Sequence, residues 1–193
     1  MSEVSARFIV FEGIDGSGKS SLIEKLDEDD FYFTYEPTGS EVGQIANRIA
    51  GEETSPYLDM FLYMADRVSH TEEIRKKLES GKSVICDRYW GSTAAYQSAY
   101  EDISLDYVEE IQRPFILEPD ITILFDLDPE VALDRISGRD NMSKYEKLNF
   151  LDKVRENYLT LADRHGWKVI DAEKSPEDVF SQVKELLHGL RGK

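Results

Sequence analysis

Phe8-Ile9-Val10-Phe11-Glu12-Gly13-Ile14-Asp15-Gly16-Ser17-Gly18-Lys19-Ser20 is the stretch on which the fold turns. Four apolar residues in a row, ended by a glycine-rich turn, read as a strand buried on both faces. Gly13 to Ser20 is G-x-x-x-x-G-K-[ST], and Leu22, Ile23 and Leu26 then fall at helical spacing. Strand, glycine loop and helix in that order are the setting in which this motif holds phosphate. Gly13, Gly16 and Gly18 let the backbone turn so that several amide N–H groups face one anion. The following helix is expected to add the positive end of its dipole. The Lys19 ammonium suits the β- and γ-phosphates of a nucleoside triphosphate, and the Ser20 hydroxyl suits the coordination shell of Mg²⁺. Gly13, Gly16, Ser17, Gly18, Lys19, Ser20 and Ser21 are the candidate phosphate-binding set.

Outward from this loop, short apolar runs alternate with longer helix-like segments, the pattern of a parallel α/β sheet. The further strand candidates are Phe31–Tyr35, Val84–Cys86, Ile121–Phe125 and Trp167–Ile170. Val42, Ile45 and Ile49 mark a second helix. A long one spans about Pro56 to Gly81, where Leu58, Phe61, Leu62, Ala65 and Val68 recur at three and four residues and Gly81 is a natural stop. Helices also fit Ser92–Tyr100, Leu105–Phe115, Pro129–Ile136, Glu146–His165 and Pro176–Leu190, with Pro129 and Pro176 as first-turn prolines. The polar run Ser137 to Lys144 has almost no apolar anchor and reads as a mobile loop. No linker divides the chain, so residues 1–193 are expected to form one domain.

Composition narrows the function classes. The 193 residues carry 39 Asp plus Glu against 23 Lys plus Arg, a net charge of −16. Such a surface repels a polyphosphate backbone, which argues against DNA or RNA as partner but permits a small anion in a local basic pocket. No apolar run approaches membrane-spanning length, and the first residues show no secretory pattern. Cys86 is the only cysteine, and His70, His165 and His188 show no metal-ligand spacing. A reducing cytoplasm is the expected setting.

A phosphate loop serves GTPases, motors and small-molecule kinases alike. The guanine-reading Asn-Lys-x-Asp segment is absent, and motors are usually longer. A kinase needs a second anion site and positive charge over the transferred group. Asp87 and Arg88 end the third strand, where ligands of open α/β sheets sit. Asp87 could hold Mg²⁺ through water, and Arg88 could clamp an acceptor phosphate. Tyr63 and Arg67 stand four apart on one helical face, a flat ring beside a guanidinium fork. Arg135, Arg139 and Lys144 supply cations in an otherwise acidic chain. A nucleotide-binding regulator that lost catalysis is the rival from another class, and it would need neither those cations nor Asp87.

With these pieces placed, the chain resembles the thymidylate kinase family over essentially its whole length. The resemblance is carried by Phe11 to Ser20, by Glu36-Pro37, by Tyr63-Met64-Ala65-Asp66-Arg67, by Asp87-Arg88-Tyr89 with Ser92-Thr93-Ala94-Ala95-Tyr96-Gln97, and by the spacing of Arg135, Arg139, Lys144 and Glu146. It implies a P-loop fold with a five-stranded parallel sheet, helices on both faces and a mobile lid, here about residues 136–146. The implied reaction is phosphorylation of dTMP to dTDP with Mg²⁺ and ATP. Another nucleoside or nucleoside monophosphate kinase on the same fold is the alternative. The resemblance assigns dTMP binding to Asp15, Glu36, Pro37, Tyr63, Arg67, Arg88, Thr93, Tyr96 and Gln97. Tyr63 would stack on thymine, Arg67 read its edge, and Tyr96 crowd the sugar 2′ position. Lys19, Arg88, Arg135 and Arg139 would be catalytic, and Ser20 and Asp87 would hold the metal. A homodimer is implied as well. Gly16 stands where some members carry Arg, which points to the branch with lid arginines. Lys144 stands where that branch often has Arg, and Lys cannot make the two-pronged contact. Tyr35 stands where many members have Arg, and Arg48 is a further candidate contact.

Overall fold

In the computed structural model, which describes residues 6–26, 31–50, 54–137 and 148–191, the first apolar run is the central strand β1 (Phe8–Glu12), buried at every position. On one side it pairs with β3 (Ser83–Asp87), which in turn pairs with β2 (Phe31–Tyr35). On the other side it pairs with β4 (Ile121–Asp126), and β4 with β5 (Lys168–Asp171). All four pairings are parallel and the order is β2-β3-β1-β4-β5. The chain therefore winds to one side of β1 and then to the other. A crevice opens at the carboxyl end of β1 where the winding reverses. Register places Phe11 beside Asp87, so Gly13, Asp87 and Arg88 meet at that crevice.

The sheet is covered by helices whose ends follow local chemistry. The helix expected after the glycine loop is short: α1 covers Lys19–Ile23, and Leu26 lies in the turn beyond it. α2 covers Glu41–Ala50. α3 covers Pro56–Glu79, has proline in its first turn, and stops at Gly81, whose φ of 83° only glycine adopts without strain. α4 covers Trp90–Gln97, two residues earlier than its periodicity suggests. The segment after it divides at Pro114 into α5 (Leu105–Gln112), capped by Ser104, and a 3₁₀ turn, Arg113–Phe115. α6 (Pro129–Ile136) is capped by Asp128, which accepts a hydrogen bond from the Glu130 amide at 2.9 Å. α7 covers Leu148–His165 and α8 Pro176–Arg191. Gly138 to Lys147, with Arg139, Lys144 and Glu146, lies outside the described residues.

One helix is turned the other way round from a simple amphipathic reading. The apolar set by which α3 is recognised is not the set it buries. Leu58, Phe61 and Val68 are 44%, 52% and 45% exposed, and Ala65 is exposed with them. The buried positions are Asp59, Met60, Met64, Asp66, Arg67, His70, Thr71 and Ile74. The inward face is largely polar because it forms a wall of the crevice.

Candidate active site

The glycine loop is built by its backbone. Gly13, Gly16 and Gly18 have φ of 142°, 84° and 87°. A Cβ on Gly13 would stand 2.7 Å from the Phe125 carbonyl, and one on Gly16 would stand 2.8 Å from the Ala132 carbonyl. The loop is thus pressed between β4 and α6, and Gly16 has no room for a side chain. α1 is only five residues long, so inward amides and Lys19 supply most of the positive character there, with less from the dipole than a full helix would give. Lys19 is buried, and its ammonium donates to the carbonyls of Gly13 (2.9 Å) and Ile14 (3.2 Å) and to Ser17 Oγ (3.2 Å). Burial lowers its pKa to about 8, with Arg88 adding repulsion, against the opposing pull of Asp87, Asp15 and Glu12. Ser21 is exposed on α1.

Ser20 Oγ donates to Asp87 Oδ2 at 3.2 Å, while the buried Asp87 Oδ1 has no hydrogen-bond partner among the described residues. A hydroxyl and an unsatisfied carboxylate oxygen, side by side at the mouth of the loop, fit a hard divalent cation completed by water and phosphate oxygens. Among the described residues no group of three or more His, Cys, Asp or Glu is placed to hold a metal unaided.

Arg88 has φ of 66°, the only described non-glycine residue in the left-handed region. Its turn is pinned by Glu12, which is fully buried. That carboxylate accepts from the amides of Tyr89 (3.0 Å) and Ser92 (3.1 Å), from Ser92 Oγ (2.6 Å) and from Tyr158 OH (3.2 Å). Burial raises the pKa of Glu12, with Ser92, Arg88 and the Tyr89 amide pulling the other way. The twist directs the Arg88 guanidinium to Asp15 Oδ1 at 3.0 Å and over the Tyr96 ring, 5.5 Å from its centre.

On the opposite wall, α3 clamps the segment after β2. Asp66 accepts from the Thr38 amide (2.6 Å), Thr38 Oγ1 (2.6 Å) and Ser40 Oγ (2.8 Å). Arg67 donates to Glu36 Oε2 from Nε (2.9 Å) and Nη2 (2.6 Å), to Thr93 Oγ1 (2.9 Å) and to Gln112 Oε1 (2.8 Å). One of its five N–H donors, on Nη1, has no partner among the described residues. His70 bridges Glu36 Oε1 and Thr34 Oγ1.

A cavity of about 1070 Å³ joins these walls. It is bordered by Asp15 and Ser20 from the loop, by Asp87 and Arg88, and by Glu36, Pro37, Tyr63, Arg67, Thr93, Tyr96 and Gln97. Every residue expected to bind the acceptor therefore meets on one surface. Arg135 stands apart from that cavity, donating to the carbonyls of Gly16 (3.3 Å) and Ala172 (3.1 Å) beside the glycine loop. The candidate contact Arg48 is not on the cavity wall; its neighbour Asn47 is.

Several residues that line the cavity or support its wall from behind escape a sequence reading. Glu12 is a carboxylate closing an otherwise apolar strand, which is itself a signal, because a buried charge requires partners. His70 follows Arg67 by three positions and so shares its helical face. Thr34 and Gln112 carry no such mark; only tertiary packing brings Thr34 to the wall and Gln112 behind it, against Arg67.

A phosphate loop and a guanidinium-lined recess facing each other across one cavity, on a parallel sheet of this order, define a P-loop phosphotransferase with separate places for donor and acceptor. The family model described as thymidylate kinase matches residues 11–183. A Pyrobaculum aerophilum protein named "Probable thymidylate kinase" is 41% identical over 185 residues, covering 93% of this chain and 95% of its own. Proteins of the same name from Staphylothermus marinus (39% identical; 97% of both chains) and Methanocaldococcus jannaschii (40% identical; 97% of this chain, 98% of its own) are similar throughout. The chain belongs to the thymidylate kinase family.

Proposed function

We propose that this protein transfers the γ-phosphoryl group of ATP to dTMP, giving dTDP and ADP, with Mg²⁺ as cofactor. A dTMP phosphate oxygen attacks the γ-phosphorus in line; the new O–P bond forms as the bond to the β-phosphate bridging oxygen breaks. The acceptor is already an anion, so no strong base is required. Positioning and charge neutralisation carry the rate. Lys19 and the loop amides hold the donor phosphates, and Arg88 holds the acceptor phosphate. Ser20 and Asp87 would hold Mg²⁺, which when bound neutralises charge on the donor phosphates. Tyr63 stacks on the base, while Arg67, Thr93 and Gln97 bond its edge; Tyr96 faces the sugar. Asp15, Glu36 and Pro37 complete that recess. Arg139, on a lid of about residues 136–146, and Arg135, just before it at the end of α6, are the proposed catalytic cations within a single kinase domain.

The observation that carries this reading is the shared cavity, with Ser20 on its donor side and Asp15, Tyr63, Arg67 and Arg88 on its acceptor side. Among the described residues no helix is long and apolar enough to cross a membrane. A cytoplasmic enzyme acting on free nucleotides suits the acidic surface. The exposed apolar stripe of α3 supports a homodimer. The deciding experiment is an acceptor panel with ATP: dTMP, dUMP, dCMP, dGMP, AMP and thymidine. Fastest turnover is expected with dTMP. Fastest turnover of a base other than thymine or uracil would defeat the assignment.

A further inference from the structure

Four polar side chains run in series beneath the acceptor side of the cavity. Thr34 Oγ1 lies 2.7 Å from His70 Nε2, and His70 Nδ1 lies 2.9 Å from Glu36 Oε1. Glu36 Oε2 receives both Nε and Nη2 of Arg67. The His70 side chain is completely buried. A carboxylate facing a guanidinium only accepts, so the Nδ1 proton of His70 belongs to the Glu36 bond. When Nδ1 carries the ring proton, Nε2 accepts the Thr34 hydroxyl proton. The two oxygens of Glu36 are thereby divided, one to His70 and one to Arg67. With Oε1 tethered, the carboxylate plane cannot turn, and Oε2 stays where two Arg67 donors reach it together.

We propose that His70 is a positioning residue for the acceptor: through Glu36 it sets the plane of the Arg67 guanidinium against the acceptor base, and Thr34 fixes the ring that does so. The inference rests on the cavity being the acceptor site. Nothing in the relay touches the glycine loop, so its loss should be felt by the acceptor and not by ATP.

Asparagine and glutamine separate the two bonds of the ring. An Asn amide nitrogen falls near the place of Nδ1, and a Gln amide nitrogen near that of Nε2. Steady-state kinetics on the full chain would compare wild type, H70N, H70Q, H70A and T34V, using the best acceptor found for wild type in the panel above. H70A and H70Q strand a buried carboxylate oxygen and should raise the acceptor KM about tenfold. H70N keeps the Glu36 bond and should stay within about threefold of wild type; T34V, which frees the ring at Nε2, should raise the acceptor KM by more than H70N and less than H70A; the KM for ATP should stay within about twofold throughout. Equal behaviour of H70N and H70Q, or a KM for ATP that rises in step with that of the acceptor, overturns the relay. Because the acceptor is chosen on wild type first, a wrong substrate assignment shows itself before any variant is measured.

Discussion

Lys19 holds its ammonium among the loop's own oxygens, and that has a pH consequence. Its pKa is lowered to about 8 by burial, while a bound triphosphate favours the charged form and pulls it back up. At pH 7 the proton is already present, so ATP binding should take up almost none there. Uptake should rise from about half a proton at pH 8 toward one near pH 9 to 10, and the fall in ATP affinity should approach about tenfold per pH unit there. Calorimetric titration in buffers of different ionisation enthalpy reads this directly, and Lys19→Met should abolish the uptake. Tyr96 makes a second residue-scale prediction. Its buried ring lies under Arg88 on the cavity wall. Tyr96→Ala should weaken dTMP use yet narrow the preference for dTMP over UMP. An unchanged ratio of the two kcat/KM values would count against a ring that crowds the 2′ position.

At the scale of elements, the two walls are joined through α4. Its N-terminus is anchored by Glu12 from the end of β1, and its Thr93 accepts from Arg67 of α3. The close approach depends on Gly91, where a Cβ would stand 2.5 Å from Trp167 Cη2 and 2.8 Å from Glu12 Oε1. Gly91→Ala should therefore cost about 1–3 kcal/mol, measured by urea unfolding. It should also raise the KM for dTMP, because Arg88 and Thr93 lie on either side of the disturbed turn. Wild-type stability in that variant would mean that α4 is less tightly seated than the contacts indicate.

For the molecule as a whole, the outward face of α3 presents Leu58, Phe61 and Val68 to solvent, while its inward face carries Asp66, Arg67 and His70. The proposed homodimer would bury this apolar stripe against a second copy and remove it from water. Sedimentation should find wild type as a dimer and Phe61→Asp as a folded monomer with unchanged far-ultraviolet circular dichroism. A wild-type monomer would remove the stripe from the assembly.

Much of this protein is legible along the chain because the relevant physics is local. A strand, three glycines, a lysine and a serine within thirteen residues specify the phosphate loop, since its donors are its own amides. Proline, glycine and serine punctuation places most helix ends within a few residues. What only the folded molecule decides is which side of an element faces inward and which distant groups meet. Periodicity detects the apolar stripe of α3 but cannot say that the polar face is the buried one, because that depends on partners from β2, α4 and α5. Glu12 and Tyr158 are 146 positions apart, and Thr34 and His70 are 36 apart. Buried polar groups must find partners wherever the chain brings them, and that pairing is a property of the packing, not of any segment.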